Sequence, residues 1–371
     1  MDDRLYYLGF SAFPGIGPYR FKLLLDYFGT AKEAWEAPLQ KLINIGLGES
    51  LSQKFDTFRR THSLSGYAQK VKDLGVTILI LTDPKYPRLL KEIPDAPFVL
   101  YIKGKKKELG INNHELEDWD ISKSIAIVGT RRITNYGKEV TQKLTSELVG
   151  CGMTIVSGLA YGVDAVAHQT AIDAGGKTIA VLGCGVDCCN PPANQSIYNQ
   201  IIDGNGMVIS EFPLSQRASK GLFPARNRII SGLSLGTVVT EGAEDSGALI
   251  TARFAAEQGR EVFAVPGPIT SAYSQAPFKL LKSGAKLVTS ASDILEELRI
   301  ASFPLSRSAK TFVNFNKEEQ TIIELLKSDS LAEDDIIRRL DWETAKVTST
   351  LSLLELKGVL KNAAGVYSLN S

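Results

Sequence analysis

The stretch that decides the fold reads SIAIVGTRRITNYG over residues 124–137. Its first five residues, Ser124 to Val128, form a short β-rich run that predicts a buried strand. A turn at Gly129 and Thr130 follows, and a helical pattern begins near Tyr136. A buried strand that leads through a glycine turn into a helix is typical of the βα units from which parallel sheets are built.

The same alternation of strands and helices extends over residues 76–300. Short β-rich runs recur at Val76–Leu81, Phe98–Ile102, Ser124–Val128, Met153–Ser157, Thr178–Leu182, Met207–Ser210, Gly236–Thr240, Glu261–Val265 and Lys286–Val288. Helical patterns lie between most of them. This arrangement predicts the α/β class, as a Rossmann-like, doubly wound and mostly parallel sheet with helices on both faces. Ligands of such a sheet bind at the carboxyl ends of its strands.

Smaller regions flank the predicted sheet. Residues 3–60 have the apolar spacing of short helices, and residues 301–315 contain Ser, Pro and basic residues without an acidic one, which indicates a linker. Three helical patterns and a terminal hairpin follow, an arrangement that predicts a winged helix. We therefore expect a helical domain over residues 1–65, the Rossmann-like domain over 66–300, a linker over 301–315 and a winged helix over 316–371.

Composition excludes several classes of protein. The 371 residues include 42 Lys and Arg against 41 Asp and Glu, so any basic binding site has to be local. The chain is 44% hydrophobic and 22% charged, which excludes disordered and collagen-like chains. No apolar run approaches membrane-spanning length, no signal peptide is visible, and four cysteines fit a reducing interior. We expect a cytoplasmic protein without a membrane partner.

The loop after the predicted strand Ser124–Val128 is a candidate anion site. Gly129 and Thr130 stand where backbone N–H groups can point at an oxyanion, and Arg131 and Arg132 add guanidinium donors that suit phosphate. The loop lacks the glycine pattern of a dinucleotide-binding fingerprint or a Walker A loop. An ordinary surface turn is the alternative.

Two further loops have the same position at a strand end. Ser157, Gly158 and Leu159 follow one predicted strand and precede a helix, and an ordinary tight turn explains them equally well. Ser246 and Gly247 precede a helix of small residues and indicate an N-cap, which is again an anion-receptive end.

A basic segment between these loops points to nucleic acid. Residues 212–240 contain no Asp or Glu, and their centre combines Phe223, Arg226, Asn227 and Arg228. An aromatic ring beside guanidinium groups suits single-stranded nucleic acid, because unstacked bases rest on the ring while phosphates meet arginine. A solvated basic helix face is the alternative.

Catalytic and metal-binding patterns are missing from the sequence. Cys184, Cys188 and Cys189 lack the second Cys or His pair of a zinc site, and the three histidines show no metal-ligand spacing. His168 fits the packed face of a helix better than a catalytic base. We expect no catalytic residue, no metal and no cofactor.

The motifs together resemble the DNA-processing protein A family, DprA or Smf. The resemblance is carried by five segments in order, which are residues 129–137, 157–164, 223–234, 246–252 and 258–267. It implies a Rossmann-like core between an N-terminal helix-hairpin-helix or SAM-like domain and a C-terminal winged helix. It also implies a single-stranded DNA-binding protein, not an enzyme, that protects incoming strands during natural transformation, helps to load the RecA recombinase and forms a homodimer.

The same resemblance implies which residues bind DNA. Arg131 would bind phosphate beside the Gly129–Thr130 backbone, Phe223, Arg226 and Arg228 would line the pocket, and two turns would form its floor. The complete candidate set is Gly129, Thr130, Arg131, Arg132, Ser157, Gly158, Leu159, Phe223, Arg226, Asn227, Arg228, Ser246 and Gly247.

Two points qualify this interpretation. A nucleotide phosphoribohydrolase of the lysine-decarboxylase-like (LOG) type shares the Rossmann-like core and is the rival, although residues 241–247 lack its Pro-Gly-Gly-x-Gly-Thr turn. The winged helix holds seven Lys and Arg against ten Asp and Glu, which is the wrong sign for binding DNA through counterion release. We expect it to contact protein or to have a regulatory role instead.

Overall fold

The computed structural model describes residues 3–104, 121–204, 206–300, 316–326, 330–356, 359–363 and 365–369. The chain forms two compact units, Met1–Ala309 and Lys310–Ser371. The expected linker at 301–315 lies outside the described residues.

Six helices open the first unit. They are α1 (Arg4–Ala12), α2 (Pro18–Phe28), α3 (Ala31–Glu36), α4 (Leu39–Leu42), α5 (Glu49–Thr61) and α6 (Leu64–Asp73). Their apolar faces meet in an aromatic core in which the rings of Phe10 and Phe55 stack with centroids 5.0 Å apart. Phe21 of α2 stacks on Phe98 at 4.0 Å, which joins the helices to the sheet. Helix α6 runs through residue 65, where we expected the domain boundary.

A nine-stranded sheet forms the centre of the unit, and each of its strands lies within or beside a predicted run. The strands are β1 (Thr77–Ile80), β2 (Val99–Gly104), β3 (Ser124–Val128), β4 (Thr154–Ser157), β5 (Thr178–Val181), β6 (Gly206–Ser210), β7 (Gly236–Val239), β8 (Glu261–Ala264) and β9 (Lys286–Leu287). Their order is β1-β2-β6-β5-β4-β3-β7-β8-β9. The pairs β1–β2 and β2–β6 are antiparallel and the other pairs are parallel. The predicted mostly parallel, doubly wound sheet is confirmed.

Strand order places the functional crevice. From β3 the chain proceeds outward through β4, β5 and β6, then returns to β7 on the other side of β3 and proceeds through β8 and β9. In the register of that central pair, Val128 lies opposite Val239. Ligands of open α/β sheets bind outside the carboxyl ends at such a reversal. The loops after Val128 and Val239 are therefore expected to form the site.

Helices cover both faces of the sheet. They are α7 (Arg88–Lys91), α8 (Asn135–Gly150), α9 (Val163–Asp173), α10 (Gln195–Asp203), α11 (Leu222–Gly232), α12 (Ala248–Glu257), α13 (Gln275–Lys282) and α14 (Ala291–Glu297). The interior side chains of β3 show how one strand serves two cores. Ile125 and Ile127 pack in one apolar cluster and Ala126 and Val128 in another, because successive side chains of a strand point to opposite faces.

The second unit has the elements of a winged helix. Helices α15 (Lys317–Leu326), α16 (Glu333–Leu340) and α17 (Thr344–Leu356) accompany strands β10 (Leu331–Ala332), β11 (Leu360–Ala363) and β12 (Val366–Leu369). The strands form a sheet in the order β10-β12-β11, and Ile322, Ile336 and Leu351 lie in its core. The helices of the described ranges fall short of the length and apolar character that crossing a bilayer requires.

Candidate nucleic-acid interface

A cavity of about 710 Å³ opens at the reversal point, beside the carboxyl ends of β3 and β7. It brings together candidates from two separate loops and one helix. Those that line it are Gly129, Thr130, Arg131, Arg132, Phe223, Arg226, Asn227, Ser246 and Gly247. Ser157, Gly158, Leu159 and Arg228 are not among its lining residues.

The first loop is shaped by close backbone packing. A Cβ on Gly129 would lie 2.5 Å from Cγ2 of Val163, so only glycine fits there without displacing α9. The N–H of Thr130 donates to the carbonyl of Glu241 at 2.8 Å, and the Thr130 hydroxyl accepts the N–H of Arg132 at 3.1 Å. We expected the Thr130 N–H to face an oxyanion, and the structure uses it instead to tie β3 to β7.

Arg131 presents its guanidinium at the cavity wall. Its Cζ lies 5.3 Å from the centroid of the Phe223 ring, within the range of a cation–π interaction. Arg131 and Arg132 are both exposed, and within the described part of the chain neither makes an ion pair. Their charges are thus available to an anion from solvent.

Arg226 supplies a buried positive charge behind this wall. The residue is 4% exposed, and its Nη1 donates to the carbonyls of Gly158, at 2.6 Å, and Val181. Burial lowers the pKa of the guanidinium to about 10, against the opposing effect of Asp164. Arg226 therefore stays charged at neutral pH and adds positive potential to the cavity.

The second loop supports the cavity from behind. The Ser157 hydroxyl is buried and donates to the carbonyl of Ile127 at 2.6 Å, so it is not available as part of a cavity floor. Leu159 is also buried and has a φ of +56°. The Asp164 carboxylate accepts the N–H groups of Gly158, at 3.1 Å, and Ala160, at 3.3 Å. The loop is held by α9 and in turn positions Arg226.

Arg228 has a different environment from the one we expected. It is 5% exposed, and its Nη1 and Nη2 donate to the two carboxylate oxygens of Glu211 at 2.6 and 2.7 Å. Its Nε lies 2.8 Å from Asp95. Burial acts to lower its pKa, but the two carboxylates outweigh burial and raise it. The expectation that Arg228 lines the pocket is corrected, since its charge is already compensated inside the protein.

Helical periodicity explains the difference between the two arginines. Apart from Pro224 in its first turn, the residues of α11 that line the cavity are Phe223, Arg226, Asn227 and Ile230. They follow the spacing i, i+3, i+4 and i+7 of a single helix face. Arg228 is two residues from Arg226 and therefore lies on the far side of that face. A helix over residues 222–232 enters the sequence interpretation only as the alternative to a binding site, so helical spacing was not used to separate the two arginines.

Glu241 and Ser246 complete the β7 loop. The Glu241 carboxylate accepts the Thr134 N–H at 3.0 Å and the Thr134 hydroxyl at 2.6 Å at the start of α8. The Ser246 hydroxyl accepts the N–H of Ala248, the first residue of α12, at 3.3 Å. These contacts fit the capping role that the sequence suggests for this stretch.

Comparison with known proteins decides the family. The model of the family described as DNA recombination-mediator protein A matches residues 77–299, and the model of the DprA winged helix domain matches residues 313–365. The chain belongs to the DNA recombination-mediator protein A family. The resemblance stated from the sequence motifs is therefore confirmed.

Relatives within the family cover most of the chain. A DNA processing protein DprA from Bacillus subtilis is 43% identical over 227 residues, which are 61% of this chain and 73% of the relative. Protein Smf from Escherichia coli is 37% identical over 290 residues, 76% of this chain and 74% of the relative.

Solved structures of family members share the fold. DNA processing protein A from Streptococcus pneumoniae aligns with a TM-score of 0.66 and 34% identity, over 80% of this chain and 98% of that chain. The Helicobacter pylori protein, whose structure is described as showing a single-stranded DNA binding mode, aligns with a TM-score of 0.51 and 30% identity over 60% of this chain and 95% of that one.

The structure adds cavity residues that the candidate set does not contain. Lys220 and Asp245 line the wall with opposite charges, and Tyr273 lines it from the loop after β8. Lys220 belongs to the basic segment and had a sequence signal. Tyr273 had none, because only folding places it beside the β7 loop, where its carbonyl accepts the Gly242 N–H at 2.7 Å.

His168 and the cysteines have structural environments. The Thr178 hydroxyl donates to the Ile155 carbonyl at 2.9 Å, so it accepts at 2.8 Å from Nδ1 of His168, which must carry the proton. Burial lowers the pKa of His168 to about 3, with a further contribution from Arg226. Among the described residues, no three His, Cys, Asp or Glu side chains are grouped so that they could hold a metal ion.

Proposed function

We propose that this member of the DNA recombination-mediator protein A family binds single-stranded DNA in the cavity between the β3 and β7 loops. The observation that carries the proposal is the Arg131 guanidinium beside the Phe223 ring at the cavity wall, with no carboxylate partner in the described residues. A phosphate donor next to an aromatic ring matches a nucleotide whose base has been unstacked.

The proposed contacts divide by chemistry. Arg131, Arg132 and Lys220 would meet phosphates, Phe223 would support a base, and Asn227 would hydrogen-bond to the strand. Arg226 would act mainly through its charge, since its Nε and Nη1 donate inside the protein. Gly129, Thr130, Ser246 and Gly247 would shape the wall, and Ser157, Gly158 and Leu159 would support it from behind. Binding of this kind tolerates any base sequence.

A single strand fits this site better than a duplex does. The ring and the charges lie within a crevice of about 710 Å³, whereas a base pair keeps its bases stacked and turned away from such a ring. The structure of the Helicobacter pylori relative with its described single-stranded DNA binding mode supports the same choice.

We extend the proposal to partners through the family. The protein would protect incoming single strands during natural transformation and hand them to the RecA recombinase as a homodimer. An exposed edge supports self-association, because β9 ends the sheet and Leu287 on it is 55% exposed, while Ile269 is 84% exposed. The winged helix, with its net charge of −3, would contact protein. The four unpaired cysteines fit a cytoplasmic location.

We propose a binding protein instead of an enzyme. The rival interpretation, a nucleotide phosphoribohydrolase of the LOG type, would need a carboxylate that faces a bound nucleotide at the β7 loop. Glu241 does not supply it, because both of its oxygens accept hydrogen bonds from Thr134 and it is not among the cavity-lining residues. Asp245, which lines the wall at that loop, is the carboxylate that the rival would have to use. Release of free base from AMP by the wild type, lost in an Asp245→Asn variant, would favour the rival.

The test is fluorescence anisotropy of a labelled oligo-dT strand titrated at several salt concentrations, with duplex as competitor. We expect salt-sensitive binding that duplex displaces poorly, and we expect Arg131→Ala to weaken it and reduce the salt slope by about one. Arg253→Ala is the matched control, because Arg253 lies 5.6 Å from the Phe254 ring in a similar pair away from the cavity. Equal binding by wild type and Arg131→Ala would refute the proposed site.

A further inference from the structure

A partly buried chain of hydroxyl groups joins the N-terminal helices to the loop that leads to the cavity. The N–H of Leu214 donates to the Tyr67 hydroxyl at 3.0 Å, and that hydroxyl lies 3.2 Å from the hydroxyl of Tyr101. The Tyr101 hydroxyl lies 2.6 Å from that of Ser11, which donates to the Leu8 carbonyl at 2.8 Å. The chain thus crosses from the loop through α6 and β2 to α1.

The direction of every proton in this chain is determined. Ser11 has one hydroxyl proton and gives it to Leu8, so Tyr101 must donate to Ser11. Tyr101 has then used its own proton, so Tyr67 must donate to Tyr101 and can only accept from Leu214. Aligned hydrogen bonds of this kind polarise one another, and each becomes stronger than it is alone.

At one end of the chain, the Tyr67 hydroxyl accepts a hydrogen bond from the segment that precedes α11. This segment consists of residues 211–221, and we call it the approach segment. Next to Leu214, Ser215 has a φ of +65°, a conformation that few residues other than glycine adopt. The Asp187 carboxylate stabilises it by accepting the Ser215 N–H at 2.9 Å and the Ser215 hydroxyl at 3.2 Å. Lys70 of α6 donates to the same hydroxyl at 3.4 Å. Tyr67 and Lys70 of α6, together with Asp187, therefore hold the Leu214–Ser215 part of the segment.

The other end of the approach segment reaches the cavity. Lys220 lies on it and lines the wall, and α11 with Phe223 begins immediately afterwards. Gly183 contributes to the fit, because a Cβ there would lie 3.1 Å from Cδ1 of Phe223. Leu214 therefore lies on the same short segment as Lys220, just before Phe223.

We propose that Tyr67 is a positioning residue for DNA binding: its hydroxyl fixes the approach segment so that Lys220 and Phe223 are held ready at the cavity. The inference rests on the proposed function for its effect on affinity. Its structural part, that Tyr67 orders residues 211–221, is independent of any ligand. The N-terminal helices then contribute to binding without touching DNA.

The test replaces the hydroxyl alone. Tyr67→Phe leaves the ring in place and removes both hydrogen bonds, so we expect faster amide exchange over residues 211–221 in the DNA-free protein. We expect affinity for oligo-dT to fall about fivefold, since the loop must now be ordered on binding. Tyr6→Phe is the matched control, because the Tyr6 hydroxyl bonds to Glu36 at 3.2 Å within the same helices and away from the segment.

A double-mutant cycle separates positioning from general destabilisation. Lys220→Ala should weaken binding several-fold in the wild type and much less in Tyr67→Phe. The reason is that a Lys220 already displaced by Tyr67→Phe contributes little to the binding free energy. Additive effects of the two substitutions would overturn the proposal. If Tyr67→Phe does not fold, Asp187→Ala serves instead, because it releases Ser215 and should give the same exchange and affinity changes.

The two proposals fail in different ways. If exchange over residues 211–221 and affinity are both unchanged in Tyr67→Phe while Arg131→Ala still weakens binding, Tyr67 has no positioning role. If exchange increases and affinity does not change, the hydroxyl orders the segment but not the site, and the proposal is again wrong. If Arg131→Ala binds as well as wild type, the proposed function itself fails.

Discussion

The guanidinium of Arg226 packs directly against the backbone of Gly158. Nη1 of Arg226 donates to the Gly158 carbonyl at 2.6 Å, and a Cβ on Gly158 would lie 2.5 Å from Nη2 of the same guanidinium. Because glycine has no side chain at position 158, the arginine can pack against the backbone there. The result is a buried charge at the cavity wall that is bonded to main-chain carbonyls.

The first prediction follows from this fit. Gly158→Ala should displace the Arg226 guanidinium and lower the free energy of unfolding by about 1–3 kcal/mol, as overpacking of a dense interior does. It should also weaken single-stranded DNA binding, because the charge moves away from the cavity. Chemical denaturation and anisotropy measure the two effects. Gly150→Ala, where a Cβ would meet nothing within 4 Å, is the control, and equal behaviour of the two variants would contradict the prediction.

Arg228→Ala should affect stability and leave DNA binding intact. The substitution leaves the Glu211 carboxylate without its bidentate partner and Asp95 without its ion pair, which we expect to cost about 3 kcal/mol in the free energy of unfolding. The salt slope of DNA binding by the folded protein should not change. Arg228→Lys keeps the charge but loses the bidentate geometry, so its free energy of unfolding should lie between those of the wild type and Arg228→Ala. If Arg228→Ala is as stable as the wild type but binds DNA weakly, the prediction is wrong and Arg228 belongs to the DNA-binding site.

Phe223→Leu should separate stacking from charge. Loss of the ring removes a support for the base, which we expect to cost about 1–3 kcal/mol of binding free energy. The salt slope should stay that of the wild type, in contrast to Arg131→Ala, because no phosphate contact is lost. Anisotropy across salt measures both quantities. Phe254→Leu removes the ring of the similar pair on α12 and should bind normally, and a reduced slope in Phe223→Leu would show that the ring acts by holding Arg131.

His168 should make stability depend on pH. Its pKa in the folded protein is lowered to about 3, whereas the unfolded chain takes up a proton near the ordinary value of 6.5. The unfolded state therefore binds more protons between these values. Stability contributed by neutral His168 is complete above pH 6.5 and falls with decreasing pH by about 1.4 kcal/mol per unit until about pH 3.

The measurement is the free energy of unfolding of wild type and His168→Gln at several pH values. The difference between the two proteins should shrink as the pH falls below 6.5, since glutamine cannot titrate. Other histidines cancel in this comparison. A difference that is constant from pH 7.5 to 5 would show that folding does not lower the pKa of His168.

The sequence alone determined the elements and the family. Strand runs such as Ser124–Val128 are set by local apolar patterning, and that local information was enough for the α/β class and the mostly parallel sheet. The loops around Gly129, Ser157 and Ser246 were recognised for the same reason, because their motifs are continuous. The strand order could not be read in this way, and only the fold shows that β3 and β7 are neighbours at the reversal.

The tertiary structure decided which candidate side chains share the cavity. Arg226 and Arg228 look alike in the sequence, yet they are turned about 200° apart on α11, so one meets Gly158 and the other meets Glu211 and Asp95. Tyr67 and Tyr273 carry no motif, and each acquires its role from partners far along the chain. Elements follow from neighbouring residues, whereas the burial and pairing of a charge depend on segments that only folding brings together.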